Sequence, residues 1–273
     1  MTHDVELRAH CTTDADGRIT FHLPALEATD PPSAQLLLRL RPKKGKPEDL
    51  PLLLHVETVA DGGRRAVLEP QPVLAEGRWD VYLLPAPEAP RQRLRPGLRD
   101  QRALVDGHTR DWPSPVAVRV PYSTKDGYLA VRTWLRTAHA EVEGIDVTDR
   151  SMTVNARLHG ATLSAGAVVR LRARGANGAV RIREPQVESP GGRFSFTVDF
   201  TELIAADAAG VWDISVRTGP AGEAPLARVG RLLDDLADRK EIFVYPTARV
   251  GGAVVRPYYT VDNDLSVEVG PAG

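Results

Sequence analysis

Gly77-Arg78-Trp79-Asp80-Val81 recurs 133 residues later as Gly210-Val211-Trp212-Asp213-Ile214. Two further stretches return in the same order. Leu38-Arg39-Leu40-Arg41 comes back as Val169-Arg170-Leu171-Arg172 at an offset of 131, and Pro121-Tyr122-Ser123-Thr124 as Pro257-Tyr258-Tyr259-Thr260 at 136. Ordered matches whose offsets drift only by loop-sized amounts indicate one structural unit used twice. We place the first repeat at residues 1–137 and the second at 138–273. A short connection near 137–144 is expected between them, because no Gly/Ser or Pro run intervenes.

Between turn residues the chain alternates apolar and polar side chains, the period of half-buried strands. In 35–41, for example, Leu36, Leu38 and Leu40 take one face, and Leu37, Arg39 and Arg41 the other. Strands are predicted at 18–23, 35–41, 52–59, 66–68, 79–84, 116–120 and 128–135. In the second repeat they fall at 153–158, 167–174, 180–183, 194–200, 211–217, 242–245, 253–259 and 265–269. This many short strands, at spacings near ten residues and without βαβ alternation, predict an all-β chain of two Greek-key sandwiches. The run 231–240 places Leu232, Leu233 and Leu236 on one helical face and reads as a short helix or a packed loop. Its counterpart, 94–105, contains Pro96-Gly97 and is not expected to form a continuous helix.

In the repeated Gly-x-Trp-Asp signature, glycine permits a tight entry into the strand and the indole supplies a large core-filling surface. Trp79 and Trp212 are therefore the expected centres of two cores. Asp80 and Asp213 alternate onto the opposite face, where each can stay solvated or meet a neighbouring arginine. Asp126-Gly127 and Asn263-Asp264 supply the turn-forming residues a hairpin needs. That role accounts for Asp262 and Asp264 without calcium, and the same holds for Asp14 and Asp16.

Composition narrows the function classes. Hydrophobic residues make up 42% and charged residues 26% of 273, ordinary values for globular protein. The formal net charge of −1 supplies no global field toward nucleic acid or an anionic membrane, so anion binding must come from local clusters. Thirty of the 35 basic residues are arginine, an excess that GC-rich coding explains by default. Cys11 is the single cysteine, so no internal disulfide forms and a reducing compartment is expected. With no signal-peptide pattern at the start and no long apolar run, a cytoplasmic location and no transmembrane segment are the expectation.

No Gly-x-Ser-x-Gly elbow, Walker loop, His-Glu-x-x-His or Cys-x-x-Cys is present. Gly175-Ala176-Asn177-Gly178 precedes no helix and makes a poor phosphate cradle. His10, His22 and His55 belong to different segments and form no zinc site. No catalytic residue, cofactor or metal is therefore assigned. Arginines are the remaining feature. Arg39 and Arg41 share a strand face, as do Arg170, Arg172 and Arg174, with Arg181 and Arg183 on an adjoining strand. Guanidinium groups grip phosphate or carboxylate bidentately. The segment bearing Arg91, Arg93, Arg95, Arg99 and Arg102 reads as a loop at the end of a rigid sandwich, and such loops commonly carry binding.

Leu158-His159-Gly160, Val169-Arg170-Leu171-Arg172, Gly210-Val211-Trp212-Asp213 and Arg256-Pro257-Tyr258-Tyr259-Thr260 through Leu265-Ser266-Val267 carry a resemblance. With the later parts repeated in the first half, the chain resembles Ig-like β-sandwich modules associated with bacterial glycosyltransferases and CDP-glycerol glycerophosphotransferases of cell-wall polymer synthesis. The resemblance covers nearly the full chain but no counterpart of those enzymes' catalytic domain. It implies a tandem Ig-like fold and an accessory role. The expected function is non-catalytic binding of a partner protein or an anionic glycan. The alternatives are a transferase or hydrolase acting on a sugar or nucleotide-sugar between the two repeats, and a scaffold that oligomerises through strand edges.

Overall fold

The computed structural model describes residues 7–24, 34–42, 51–60, 62–86, 89–175, 178–188, 192–204, 210–220, 224 and 226–272. Ala176 and Asn177 of the glycine-flanked turn, and the six residues that open the chain, lie outside them. Strands dominate. The first eleven are β1 (Arg8–Thr13), β2 (Ile19–Leu23), β3 (Gln35–Leu40), β4 (Leu52–His55), β5 (Glu57–Thr58), β6 (Arg64–Leu68), β7 (Gly77–Leu84), β8 (Gln92–Arg93), β9 (Arg95–Asp100), β10 (Val116–Ser123) and β11 (Leu129–Arg136). The others are β12 (His139–Val147), β13 (Ser151–His159), β14 (Val168–Ala173), β15 (Val180–Arg183), β16 (Gln186–Glu188), β17 (Arg193–Asp199), β18 (Gly210–Arg217), β19 (Leu226–Gly230), β20 (Ala248–Val250), β21 (Ala253–Tyr259) and β22 (Leu265–Pro271). Among the described residues two short α-helices accompany them, α1 (Arg102–Val105) and α2 (Phe200–Ile204), with a single 3-10 turn at Gly107–Thr109.

Packing divides the chain into two units, Met1–Gly107 with Ala117–Leu135, and His108–Val116 with Arg136–Gly273. In the first unit one sheet runs β5-β6-β2-β1-β9 and the other β10-β11-β7-β3-β4. Phe21 and Leu68 of one sheet share a core with Leu38, Trp79 and Val131 of the other. In the second unit the orders are β16-β17-β13-β12-β19 and β21-β22-β18-β14-β15; β19 also pairs β18, which joins them into one hydrogen-bonded path. The two orders correspond strand for strand. Even the parallel exception returns, with β1–β9 in the first unit and β12–β19 in the second.

The registers refine the spacing of the repeat. Arg39 lies opposite Asp80 and Leu40 opposite Trp79, while Arg172 lies opposite Asp213 and Ala173 opposite Trp212. Arg39 thus corresponds to Arg172, at the same offset of 133 as the tryptophans. The pairing of Arg39 with Arg170 suggested by local similarity is two residues out of register. A shift of two keeps every side chain on its face, which is why alternation alone cannot detect it.

Other expectations are corrected. Residues 242–245 form no strand: the backbone N–H groups of Ile242 and Phe243 donate to the Arg239 carbonyl, and Phe243 and Tyr245 pack against the Tyr259 ring at 6.0 Å. Of the two readings of residues 231–240, the packed loop holds and the helix does not, since a buried carboxylate takes the N–H groups of Leu232 and Leu233. The arginine-bearing loop consists of β8, β9 and α1. The stretch expected to connect the repeats contains β12, whose Ala140 and Val142 belong to the second core. Phe200 ends the strand expected over 194–200 by opening α2.

The two hairpin turns repeat closely. Thr124 N–H donates to Tyr128 O and Thr260 N–H to Asp264 O, each at 2.8 Å. The residue requiring positive φ is Gly127 (76°) in one turn and Asn263 (60°) in the other. Asn263 is fully buried; its Oδ1 accepts from Arg239 N–H at 3.2 Å and its Nδ2 donates to Leu236 O at 3.1 Å. Asn263→Ala is expected to cost about 2–3 kcal/mol, combining left-handed strain with two lost bonds. Asn263→Gly relieves the strain and should cost less. Urea unfolding that ranks the glycine variant below the alanine variant would contradict this account of the turn.

Candidate functional site

Arg93 on β8 and Arg95 at the start of β9 flank the fully buried Leu94, and Arg91 lies just before β8, two residues from Arg93, so the three fall on one side of the chain at strand spacing. They interleave with two tyrosines. Arg91 lies 5.1 Å from the centroid of the Tyr82 ring, and Arg93 lies 6.0 Å from Tyr82 and 4.0 Å from Tyr128. Arg95 is 4.8 Å from Tyr128 on the same row. Arg93 also meets Asp80 at 3.2 Å, and Arg41 grips the same carboxylate through Nε and Nη2, at 3.0 and 2.8 Å. Two cations sharing one anion leave net positive charge on the face. Stacking on aromatic rings holds the arginines in place, and Arg95 Nη1 is further tied to the Asp126 and Gly127 carbonyls at 3.4 and 3.3 Å.

Of the five arginines singled out in the sequence, the structure brings Arg91, Arg93 and Arg95 together. Arg99 lies further along β9, opposite Cys11, and Arg102 is turned onto its own neighbour Asp100 at 2.7 Å. Of the two readings of Asp80, solvated or paired with an arginine, the paired one holds, with Arg41 and Arg93 as partners, whereas sequence reasoning missed Tyr82 and Tyr128. The available signal was the Arg-x-Arg-x-Arg spacing, which is a strand period.

The corresponding face of the second unit keeps one half of this arrangement and loses the other. Arg174 holds Asp213 through Nε and Nη2 at 3.0 and 2.7 Å, and Ser266 donates to the same carboxylate at 2.9 Å. Arg228 takes the place of Arg93, but Ser215 replaces Tyr82 and Asp264 replaces Tyr128. Without the rings a groove of about 500 Å³ opens, lined by Arg174, Arg228 and Lys240 and by Asp213, Asp262 and Asp264. These charges balance, and Asp264 is engaged by Arg136 at 2.7 Å and Arg228 at 3.3 Å. Among the described residues that line it, the groove carries no net charge, unlike the arginine–tyrosine row of the first unit.

A buried acid–base cluster lies in the second unit. Nε2 of His139 is 2.8 Å from Glu141 Oε2, and Arg136 Nη1 is 3.3 Å from His139 Nδ1. Arginine can only donate, so Nδ1 is the acceptor and the neutral ring gives its Nε2–H to Glu141. Burial pushes the Glu141 carboxyl up to about 8, against the lowering effect of the Leu232 and Leu233 N–H groups. His139 and Glu141 are 0% and 1% exposed and line neither of the grooves described for this unit. Their role is to fix the irregular segment 231–243. Arg239, also fully buried, adds bonds to the Arg231 carbonyl at 2.7 Å and to Asp234.

His10 and His22 face each other across β1 and β2, and His10 Nδ1 accepts from Leu98 N–H at 3.0 Å. Among the described residues no group of three or more His, Cys, Asp or Glu side chains is placed to hold a metal. Burial pushes the Cys11 thiol up to about 12, which keeps it unreactive. No helix among the described residues is long and apolar enough to cross a membrane.

No protein-family model matches this chain, and no curated protein matches it. Weak likenesses to solved structures exist. One is to S. aureus TarS, at a TM-score of 0.38 and 14% identity, covering 63% of this chain and 31% of that one. Another is to TarS 217-571, at 0.31 and 12%, covering 81% and 61%. A marsupial T cell receptor follows at 0.26 and 8%, covering 97% and 92%. The chain spans about a third of the length of the TarS chain.

Proposed function

We propose that this chain is a non-catalytic binding or accessory protein, built of two Ig-like β-sandwiches that arose by internal duplication, and that it engages an anionic glycan through the face formed by Arg91, Arg93 and Arg95. One observation carries the reading. Three guanidinium groups are stacked on Tyr82 and Tyr128 in a chain whose net charge is −1. Planar, fixed cations suit phosphate or carboxylate groups repeated along a polymer, and tyrosine rings offer apolar surface to the sugar between them. The sequence resemblance makes a cell-wall glycopolymer the natural candidate.

Polygalacturonate and heparin are suitable probes. Reversing Arg91, Arg93 and Arg95 to glutamate is expected to weaken binding about 10-fold or more, and raising the salt should weaken it too, because surface charges are screened beyond roughly 8 Å at physiological ionic strength. Reversing Arg99 and Arg102 instead should change affinity less than about twofold. Affinity indifferent to the first reversal and to salt would rule the face out, and capture of a protein in place of both polymers would transfer it to a protein partner.

A further inference from the structure

A second groove, of about 690 Å³, lies entirely in the second unit. Asp111, Trp112 and Ser114 line one part of it, and His159, Thr162 and Glu188 another. The 108–116 segment is fastened to the sheet beneath: Gly160 N–H donates to Trp112 O at 3.0 Å, and Arg157 reaches both Thr109 O and Asp111. Gly160 has a φ of 72°, and a Cβ there would stand 2.6 Å from Thr137 O. The chain therefore passes tightly under the groove, and the groove's shape is fixed by the backbone.

Two features point to a ligand. His159 is 3% exposed, yet its Nε2 is buried with no hydrogen-bond partner. Such an atom loses water on folding and is left with nothing in exchange, a cost a protein normally avoids. Burial, with His139 and Arg157 nearby, pushes this imidazole down to about 4, so it is neutral near pH 7 and can trade one hydrogen bond with an uncharged hydroxyl. The second feature is Trp112. Trp79, Trp134 and Trp212 are 4%, 1% and 0% exposed, whereas Trp112 is only half-buried and lines the groove.

The charge of the lining selects the ligand. Among the described residues it includes two carboxylates, Asp111, which Arg157 engages at 2.5 Å, and the exposed Glu188, and no Lys or Arg. A carboxylate accepts from vicinal hydroxyls, and the charge of Glu188 disfavours a phosphate or uronate. We infer that this groove is a binding site for an uncharged, hydroxyl-rich sugar ring, with Trp112 as its apolar contact, Glu188 and Asp111 as hydroxyl acceptors and His159 as the buried polar partner. The site is chemically opposite to the arginine–tyrosine face and stands or falls apart from it.

The test titrates the whole chain with cellobiose, maltose and, as anionic counterpart, digalacturonate, following Trp112 Nε1–H and the His159 ring by NMR. At least one neutral disaccharide is expected to move both signals with a millimolar Kd, and digalacturonate to bind about 10-fold more weakly or not at all. Glu188→Gln, a change at an exposed side chain, should weaken the sugar several-fold, and Trp112→Ala about 10-fold or more, with Trp112→Phe restoring part of the affinity. Silence of both signals up to about 50 mM of either neutral sugar, where a millimolar site is saturated, would overturn the inference. So would affinity unchanged in Glu188→Gln together with Trp112→Phe, or tighter binding of tetramethylammonium than of either sugar.

Discussion

Trp212→Ala is expected to lower the unfolding free energy by about 3–5 kcal/mol, the range for truncating a fully buried aromatic ring and leaving its cavity. The ring is 0% exposed and belongs to the second unit's core, with Val169, Leu171 and Val267. Trp79→Ala should fall in the same range, since that ring is 4% exposed in the first unit's core. The phenylalanine variants separate the two. Trp79 Nε1 donates to Ala75 O at 3.1 Å, while Trp212 Nε1 is buried without a partner. Trp79→Phe therefore gives up a hydrogen bond and Trp212→Phe removes an unsatisfied donor, so the second change should be milder by about 1 kcal/mol. Guanidinium unfolding of the four variants checks both statements, and a loss below about 1 kcal/mol in either alanine variant would show that ring to be outside a core.

Glu141→Ala is the other large effect, expected to cost about 3–5 kcal/mol from three stranded donors at about 1–3 kcal/mol each. The substitution strands the Leu232 and Leu233 N–H groups and the His139 Nε2–H at once, all inside the protein. Glu141→Gln keeps an acceptor and should lose less. The carboxyl also ties stability to pH. Burial lifts it from 4.5 to about 8 in the folded state, so between those values folding takes up a proton. Its contribution is complete below pH 4.5 and is lost as pH rises through 8. Stability of the wild type relative to Glu141→Gln should thus decline across that window. A difference that stays flat, or that grows with pH, would mean the carboxylate is charged throughout in the folded chain.

Much of the architecture was legible because two signals are local. Alternation marks strands, as in residues 35–41, and the Gly-x-Trp-Asp recurrence marks the same strand twice. What stayed hidden depends on partners remote in sequence. Residues 231–240 have the apolar spacing of a helix, but Glu141, some ninety residues earlier, claims their backbone donors. Phe243 and Tyr245 alternate like strand residues, yet both pack by ring contact on Tyr259 without joining a sheet. The arginines of β8 and β9 were visible as a cluster, yet Tyr128, in the next hairpin, decides which of them act together. His159 gave no sign in the sequence, since an unsatisfied nitrogen is a property of its surroundings.

The two units are one strand arrangement in one register, 133 residues apart across the central pair. Cross-strand proton contacts measured by NMR test it directly. The account predicts contacts placing Arg39 opposite Asp80 and Arg172 opposite Asp213. Contacts placing Arg170 opposite Asp213, or none between β14 and β18, would contradict it.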